Sequence, residues 1–155
     1  MADDDDQVVI EHPNRRKASS QLARLVVIVL LIASAAVVLI ISLGGWDTLE
    51  GAKPIQIVYI VLYVVMALFV ARWSRGALPM VAGLAIILGI FGAVAAPAWF
   101  ERDTDGFTDP AIPSGVLGLL CALLVLLQIA LALSAMIAFR QKWNVEAERR
   151  EPAHA

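Results

Sequence analysis

Charged side chains are missing from four long stretches of this sequence, and that absence argues against a water-soluble fold. Only 17% of the 155 residues are charged and 60% are hydrophobic, whereas about a quarter of the residues in a soluble domain are charged. The mean hydropathy is accordingly high, at +0.79. The uncharged stretches cover residues 25–46, 54–71, 76–100 and 110–139.

Each stretch has the length of a transmembrane helix, because about 20 apolar residues span the ~30 Å hydrocarbon core of a bilayer. The alternation of apolar and polar residues that marks the strands of a membrane barrel is missing from them. The sequence therefore predicts an all-α integral membrane protein, a four-transmembrane-helix bundle over 21–150. The predicted spans are 22–45, 54–73, 77–99 and 111–140, and the last has room to continue to residue 149 because no Gly or Pro interrupts it.

The segments outside the bundle are predicted to be disordered. Residues 1–20 contain too little apolar surface to offset the entropy lost on ordering, and residues 151–155 form a short polar end. A basic cluster before the first apolar run, and a small-residue triplet inside it at Ala33, Ser34 and Ala35, also resemble a signal peptide. The run stays apolar to Leu43, which favours a membrane anchor.

Positive charge is scarce on one side of the predicted bundle. Four spans place both tails and the connection at 72–75 on one side, which carries ten basic residues, whereas the other side carries only Lys53 and Arg102. Basic residues near short loops stay in the cytoplasm, so both termini are predicted to be cytoplasmic. An aromatic belt at the lipid headgroups is expected from the tryptophans at the span ends, which are Trp46, Trp73, Trp99 and Trp143.

Residues that carry chemistry are absent from the four stretches. They contain no Asp, Glu, Lys, Arg or His, the residues that mark ion paths and proton relays in membrane transporters. Both histidines, His12 and His154, belong to the tails, and the single cysteine is Cys121. Haem ligation by intramembrane histidines, an intramolecular disulfide and a multi-cysteine metal site are therefore excluded. The sequence predicts no enzyme and no cofactor, and its basic tail residues are expected to contact anionic lipid and no nucleic acid.

Acidic residues cluster in two places. The run Asp3 to Asp6 lacks fixed geometry and is interpreted as a solvated segment. In the connection 101–109, carboxylates at alternate positions followed by glycine match the first half of a calcium-binding EF-hand loop. The twelfth position would be Ile112 in place of glutamate, so a solvated acidic turn is favoured and no metal site is predicted. The weak candidates for calcium are Glu101, Asp103, Asp105 and Asp109.

Small residues recur at four-residue spacing in the third and fourth spans. Such residues let transmembrane helices approach closely, where van der Waals packing replaces the hydrophobic effect. Gln128 is the most polar residue deep in the fourth span, and its amide is expected to form a hydrogen bond between helices, within the bundle or across a homo-oligomer. The predicted helix-packing residues are Ala85, Gly89, Gly92, Ala93, Ala96, Gly118, Ala122 and Gln128.

A polar face is predicted on the second span. Gln56, Tyr59 and Tyr63 recur at three- or four-residue spacing and so share one side of the helix. The favoured interpretation is a hydrogen-bonded seam between helices, and the alternative is the lining of a pocket for a lipid or a quinone.

The function that these observations favour is that of a small non-enzymatic membrane protein acting through helix–helix contacts. It would be an accessory or assembly subunit of a larger complex, or a homo-oligomer, with other membrane subunits, itself and the lipid bilayer as partners. The alternative is a small transporter or channel for an uncharged or lipidic solute. The small size and the Ala-, Val- and Leu-rich spans indicate a bacterial cytoplasmic (inner) membrane.

Overall fold

The computed structural model describes residues 7–49, 51–102 and 110–151. Four long helices dominate the described residues, together with two short strands and two short helical turns. In chain order the elements are β1 (Gln7–Glu11), α1 (Pro13–Arg16), α2 (Ala18–Gly44), a 3-10 turn (Trp46–Thr48), α3 (Lys53–Ala71), α4 (Ala77–Glu101), α5 (Ser114–Arg140) and β2 (Ala147–Glu151).

Helices α2 to α5 are each long and apolar enough to cross a membrane. Their outer faces leave large hydrophobic side chains uncovered, and Val94 and Leu126, for example, are 70% and 65% exposed. Water-soluble monomers rarely expose continuous apolar surface on this scale. The four apolar helices thus fit a multi-pass helical membrane protein.

The helices pack unevenly around the core. Helix α4 packs extensively against α5, and α2 packs against both α3 and α5, whereas α3 and α4 make few contacts with each other. The approach of α4 to α5 depends on Gly92, where an added Cβ would lie 3.1 Å from Val125 Cγ2 and 3.3 Å from the carbonyl oxygen of Cys121. The interior is filled by fully buried aliphatic side chains, which include Leu31, Val70, Val81, Leu117 and Leu131.

Two helices are each followed, two residues after their last residue, by a residue other than glycine that has a left-handed backbone. Trp73 has φ 62° and Lys142 has φ 48°. After α3, the N–H groups of Trp73 and Ser74 donate to the carbonyls of Val70 and Phe69, which is the Schellman pattern of helix termination. An L-residue is strained in this conformation. The contacts that Trp73 and Lys142 make with their surroundings therefore offset the strain energy of their backbones.

The two ends of the chain pair with each other. Strands β1 and β2 are antiparallel, with Val9 opposite Arg149 and Glu11 opposite Ala147. Residues 7–17 and 141–151 together form what we call the terminal cap, which covers the end of the bundle where α2 begins and α5 ends. Both tails therefore lie on the same side of the bundle.

The terminal cap differs from the sequence-based prediction. Residues 7–16, expected to be disordered, form β1 and α1, and α2 begins at Ala18. Helix α5 ends at Arg140 and does not continue to residue 149. The physical reason is pairing over a long sequence separation, which gives the backbone of both segments hydrogen bonds that neither obtains alone. Residues 1–6 and 152–155 lie outside the described residues.

Candidate functional site

Three polar side chains form a hydrogen-bonded chain inside the bundle. The Tyr63 hydroxyl donates to Gln128 Oε1 at 2.6 Å, and Gln128 Nε2 donates to Ser34 Oγ at 2.9 Å. All three residues are at most 1% exposed. They join α3, α5 and α2, so the Gln128 amide finds its partners within one chain. An amide buried among apolar helices is costly unless it is paired, and this arrangement pairs both of its ends.

A second polar contact joins α2 to α3 farther from the terminal cap. The Ser42 hydroxyl lies 2.5 Å from Gln56 Oε1 and 2.6 Å from the carbonyl oxygen of Val38. Its one proton can serve only one of these oxygens at a time. The contact brings the Gln56 side chain against α2.

The predicted polar face of α3 is divided between two environments. Tyr63 belongs to the buried hydrogen-bonded chain, whereas Gln56 and Tyr59 line a cavity. The two tyrosine rings meet edge to face, with centroids 5.8 Å apart and planes at 71°. A hydrogen bond between helices and the lining of a cavity thus occur on successive turns of α3.

The cavity has a volume of about 280 Å³ and receives side chains from all four long helices. Val38 and Ile41 contribute from α2, and Cys121 and Leu124 from α5. Its other walls come from α3, from α4 and from Leu49 and Ala52 of the connection between α2 and α3. Helices α3 and α4 make few contacts with each other. It lies in the half of the bundle remote from the terminal cap, and we call it the α3/α4 cavity.

Sequence reasoning missed the two serines that complete these polar contacts. The sequence analysis gives Ser34 no role beyond the small-residue triplet of the first span, and it gives Ser42 none. Both are buried, and their separation of eight residues places them on the same face of α2. That spacing was the signal available in the sequence.

Apart from Gln128, the predicted helix-packing residues fall into three groups. Ala85, Gly92, Ala96 and Gly118 are buried between helices. Gly89 is half-buried, and a Cβ there would lie 3.4 Å from Gln128 Cβ. Ala93 and Ala122 are exposed. Four-residue spacing places residues on one face of a helix, but it does not determine whether that face contacts a neighbouring helix.

The outward face of α4 and α5 carries a shallow groove of about 340 Å³. Its floor includes Gly89 and Ala93 of α4 and Ala132 of α5. Larger side chains flank the floor, among them Ile90 and Leu133, which are 59% and 62% exposed. We call this surface the α4/α5 groove.

Arginines of the terminal-cap end bind helix C-termini. Arg24 Nη2 donates to the Ala71 carbonyl at 2.5 Å, and Arg75 Nε donates to the Phe139 carbonyl at 3.0 Å. The last carbonyls of a helix have no partner within it and carry partial negative charge. Each guanidinium therefore satisfies a carbonyl at the end of α3 or α5.

Two tryptophans lie among these arginines. The Arg24 guanidinium lies 4.6 Å from the ring centroid of Trp73, and the Trp73 and Trp143 rings meet edge to face at 5.1 Å. Trp143 is fully buried, and its indole N–H donates to Gln141 Oε1 at 3.1 Å.

The aromatic-belt prediction is therefore wrong for two of the four tryptophans. Trp143 is enclosed by the terminal cap and Trp99 is only 5% exposed, whereas Trp46 is 41% exposed. Position near a helix end was correctly recognised, but it does not distinguish an indole facing lipid headgroups from one packed against protein.

The acidic connection gives no metal site among the described residues. Glu101 ends α4 and is exposed, while Asp103, Asp105 and Asp109 lie outside the described residues. Within residues 7–49, 51–102 and 110–151, no group of three or more His, Cys, Asp or Glu side chains is placed to hold a metal ion.

Comparison with known proteins adds no relative. No protein-family model matches this chain, and no curated protein or solved structure matches it. The buried polar contacts, the α3/α4 cavity and the α4/α5 groove are therefore the features from which a function has to be inferred.

Proposed function

We propose that this chain is a non-enzymatic integral membrane protein that crosses a bacterial inner membrane four times and acts through helix–helix contacts. Four apolar helices with uncovered hydrophobic outer faces support the membrane location. Ten basic residues on the side of the tails against two on the other support cytoplasmic termini. The pairing of β1 with β2 agrees with two tails on one side.

Labelling of single cysteines in intact cells tests the orientation. In a Cys121→Ala background, a membrane-impermeant maleimide should label Gly51→Cys, in the connection after α2, and should leave Ser19→Cys unlabelled until the cells are opened. Both positions are exposed, so a difference between them reports the side of the membrane. Labelling of Ser19→Cys in intact cells would contradict the proposed orientation.

The α4/α5 groove is the observation that supports a function in assembly. Gly89 and Ala93 lie one helical turn apart on its floor, the small-xxx-small spacing at which two transmembrane helices can approach closely. Residue 97 is proline and supplies no N–H to the carbonyl of Ala93. An outward carbonyl without its helical donor can accept Cα–H contacts from a neighbouring helix.

A second copy of this chain is the occupant that we propose for the groove. The small floor and the bulky flanks both include residues of α4, such as Ala93 and Ile90. One surface thus supplies a groove and the ridge that fills it, which is the requirement for a two-fold symmetric contact. The other form of the proposed function is an accessory subunit, in which a different membrane protein occupies the α4/α5 groove.

Disulfide cross-linking in membranes tests this contact. In the Cys121→Ala background, Ala93→Cys should give a covalent dimer with copper phenanthroline as oxidant, because Cα atoms closer than about 7 Å can be bridged. Val61→Cys is the matched control, since it lies on the exposed face of α3 at a similar distance from the bundle end remote from the terminal cap.

The control decides how the cross-linking result is interpreted. Equal dimer from both variants would show random collision and would contradict a defined contact. Absence of dimer from Ala93→Cys, together with a different membrane protein that co-purifies in mild detergent, would overturn self-association and favour the accessory form.

Transport of an uncharged or lipidic solute is the second candidate, and the α3/α4 cavity is the observation that favours it. The cavity lies in one half of the bundle only, so transport would require a second arrangement of α3 and α4 that opens the other half. Flux of an uncharged solute into proteoliposomes that falls when Ala95→Leu fills the cavity would support this candidate.

A further inference from the structure

The α3/α4 cavity has the lining of a site for a lipid-soluble molecule. Its walls are mainly aliphatic and aromatic, with Leu88, Phe91 and Trp99 of α4 facing α3 across it. Of the described residues that line it, none is Asp, Glu, Lys, Arg or His. A charged ligand would lose its hydration there without gaining a counter-charge. The lining therefore favours an uncharged ligand.

Tyr59 supplies this apolar wall with an unpaired polar group. Tyr59 lines the cavity and is 7% exposed, yet no described residue forms a hydrogen bond with its hydroxyl. Tyr63, one turn away, has its hydroxyl bound to Gln128 at 2.6 Å. A ligand oxygen in the cavity that accepts a hydrogen bond would give the Tyr59 hydroxyl a partner.

Gln56 adds a second polar group on the same wall. It lies three residues before Tyr59 and therefore on the same side of α3, and it also lines the cavity. Ser42 holds one end of its amide at 2.5 Å. This contact positions the Gln56 side chain beside the cavity.

The cavity opens sideways from the bundle. Among its lining residues, Ile55 of α3 and Phe91 of α4 are 44% and 47% exposed, so the mouth lies between these two helices on the surface that lipid would cover. The volume of about 280 Å³ is close to the lower limit of ~300–1,000 Å³ for small-molecule sites. A ring or the first part of a chain fits, with the remainder in the bilayer.

We propose that the α3/α4 cavity binds the carbonyl-bearing end of a neutral, lipid-soluble molecule that enters from the bilayer. The Tyr59 hydroxyl donates to the carbonyl oxygen, and the Gln56 amide lies beside it. A quinone ring and the ester of a neutral acylglycerol share this chemistry. The inference rests on the proposed membrane insertion and is independent of self-association.

Photo-crosslinking with one probe of each kind tests the site. The full-length chain is placed in nanodiscs of ether-linked phosphatidylcholine, because ester-linked lipid would itself offer carbonyls. The two probes are an alkyl benzoquinone and a diacylglycerol, each carrying a diazirine. We expect one of them to give saturable adducts on residues of the cavity wall, and the probe that saturates identifies the source of the carbonyl.

Matched variants separate the site from general lipid contact. Tyr59→Phe should weaken the saturable labelling about five- to tenfold, the factor expected for one hydrogen bond, and Tyr63→Phe should change it less than about twofold because that hydroxyl is bound elsewhere. Ala95→Leu fills the cavity and should remove the labelling. Ala98→Leu adds the same volume on the exposed face of α4 and should leave it intact.

Three results would overturn the proposal. The first is labelling that does not saturate and spreads over the outward positions of α3 and α4. The second is wild-type labelling of Tyr59→Phe, a variant that keeps the ring and removes one oxygen. The third is failure of the chain to enter nanodiscs, which would also overturn the proposed membrane location and is recognised separately from the elution volume.

Discussion

At the end of the bundle covered by the terminal cap, arginine side chains and tryptophan rings pack against the helix ends, and among the described residues only Ser20 Oγ and Arg24 Nε are buried without a hydrogen-bond partner. Arg24 and Arg75 bind the carbonyls that end α3 and α5, and Trp143 is fully enclosed. At the opposite end, α3 and α4 separate and leave a cavity in which the Tyr59 hydroxyl has no partner among the described residues. The chain itself closes one end of the bundle, whereas the other end leaves an open space beside the Tyr59 hydroxyl. This contrast indicates where stability resides and where a ligand can enter.

Removal of the Trp143 ring should have the largest effect on stability. Trp143→Ala leaves a cavity between the cap and the bundle and removes the ring that packs against Trp73. Substitutions of this kind cost about 3–5 kcal/mol. We expect a large fall in the thermal midpoint measured by circular dichroism in detergent, with faster proteolysis of both tails.

Trp46→Ala is the matched control for that prediction, since Trp46 lies at the opposite end and is 41% exposed. Its midpoint should shift much less. Equal shifts for the two tryptophan variants would show that the terminal cap does not stabilise the bundle, and the contrast between the ends would be lost.

Loss of the Gln128 amide should have an intermediate effect. Gln128→Leu leaves the hydroxyls of Tyr63 and Ser34 without their partner. Hydrogen bonds between transmembrane helices contribute about 0.6 kcal/mol on average and up to about 1.7, so we expect a total cost of about 1–3 kcal/mol. A double-mutant cycle with Tyr63→Phe should show coupling, and strictly additive losses would mean that the hydrogen bond contributes nothing.

The smallest expected effect on stability is the difference between the two tyrosine-to-phenylalanine variants. Tyr63→Phe removes a bonded hydroxyl and should cost about 0.6 kcal/mol. Tyr59→Phe removes a hydroxyl with no described partner, and without ligand it should be neutral or slightly stabilising. Denaturation in a detergent free of carbonyl groups measures both, and a larger cost at Tyr59 would reveal a protein partner for its hydroxyl.

Much of the fold followed from local composition. The four spans were predicted because charge is missing from stretches of sufficient length, and a helix is the only arrangement of a single segment that pairs its own backbone groups in lipid. The buried position of Gln128 could also be anticipated, since its amide requires protein around it. Neither prediction depends on which helices are neighbours in the bundle.

The terminal cap and the cavity could not be anticipated in the same way. The sequence leaves room for α5 to continue to residue 149, because no Gly or Pro interrupts it. In the structure, Lys142 adopts a left-handed conformation and the chain turns back to pair with β1. Ala93 and Ala122 were assigned to helix packing by spacing, and both face outward. Periodicity identifies residues that share a face, but the direction of that face depends on the neighbouring helices.

The number of apolar helices and the lack of charge within them follow from the amino-acid sequence, because helix formation and exclusion of charge are properties of each segment alone. The pairing of the Tyr63 hydroxyl and not that of Tyr59, and the closer packing of α4 against α5 than against α3, arise from the packing of the four helices. These outcomes depend on contacts between residues far apart in the chain, such as Gly92 with Val125 and Tyr63 with Gln128. No local pattern encodes which of two equivalent hydroxyls meets an acceptor.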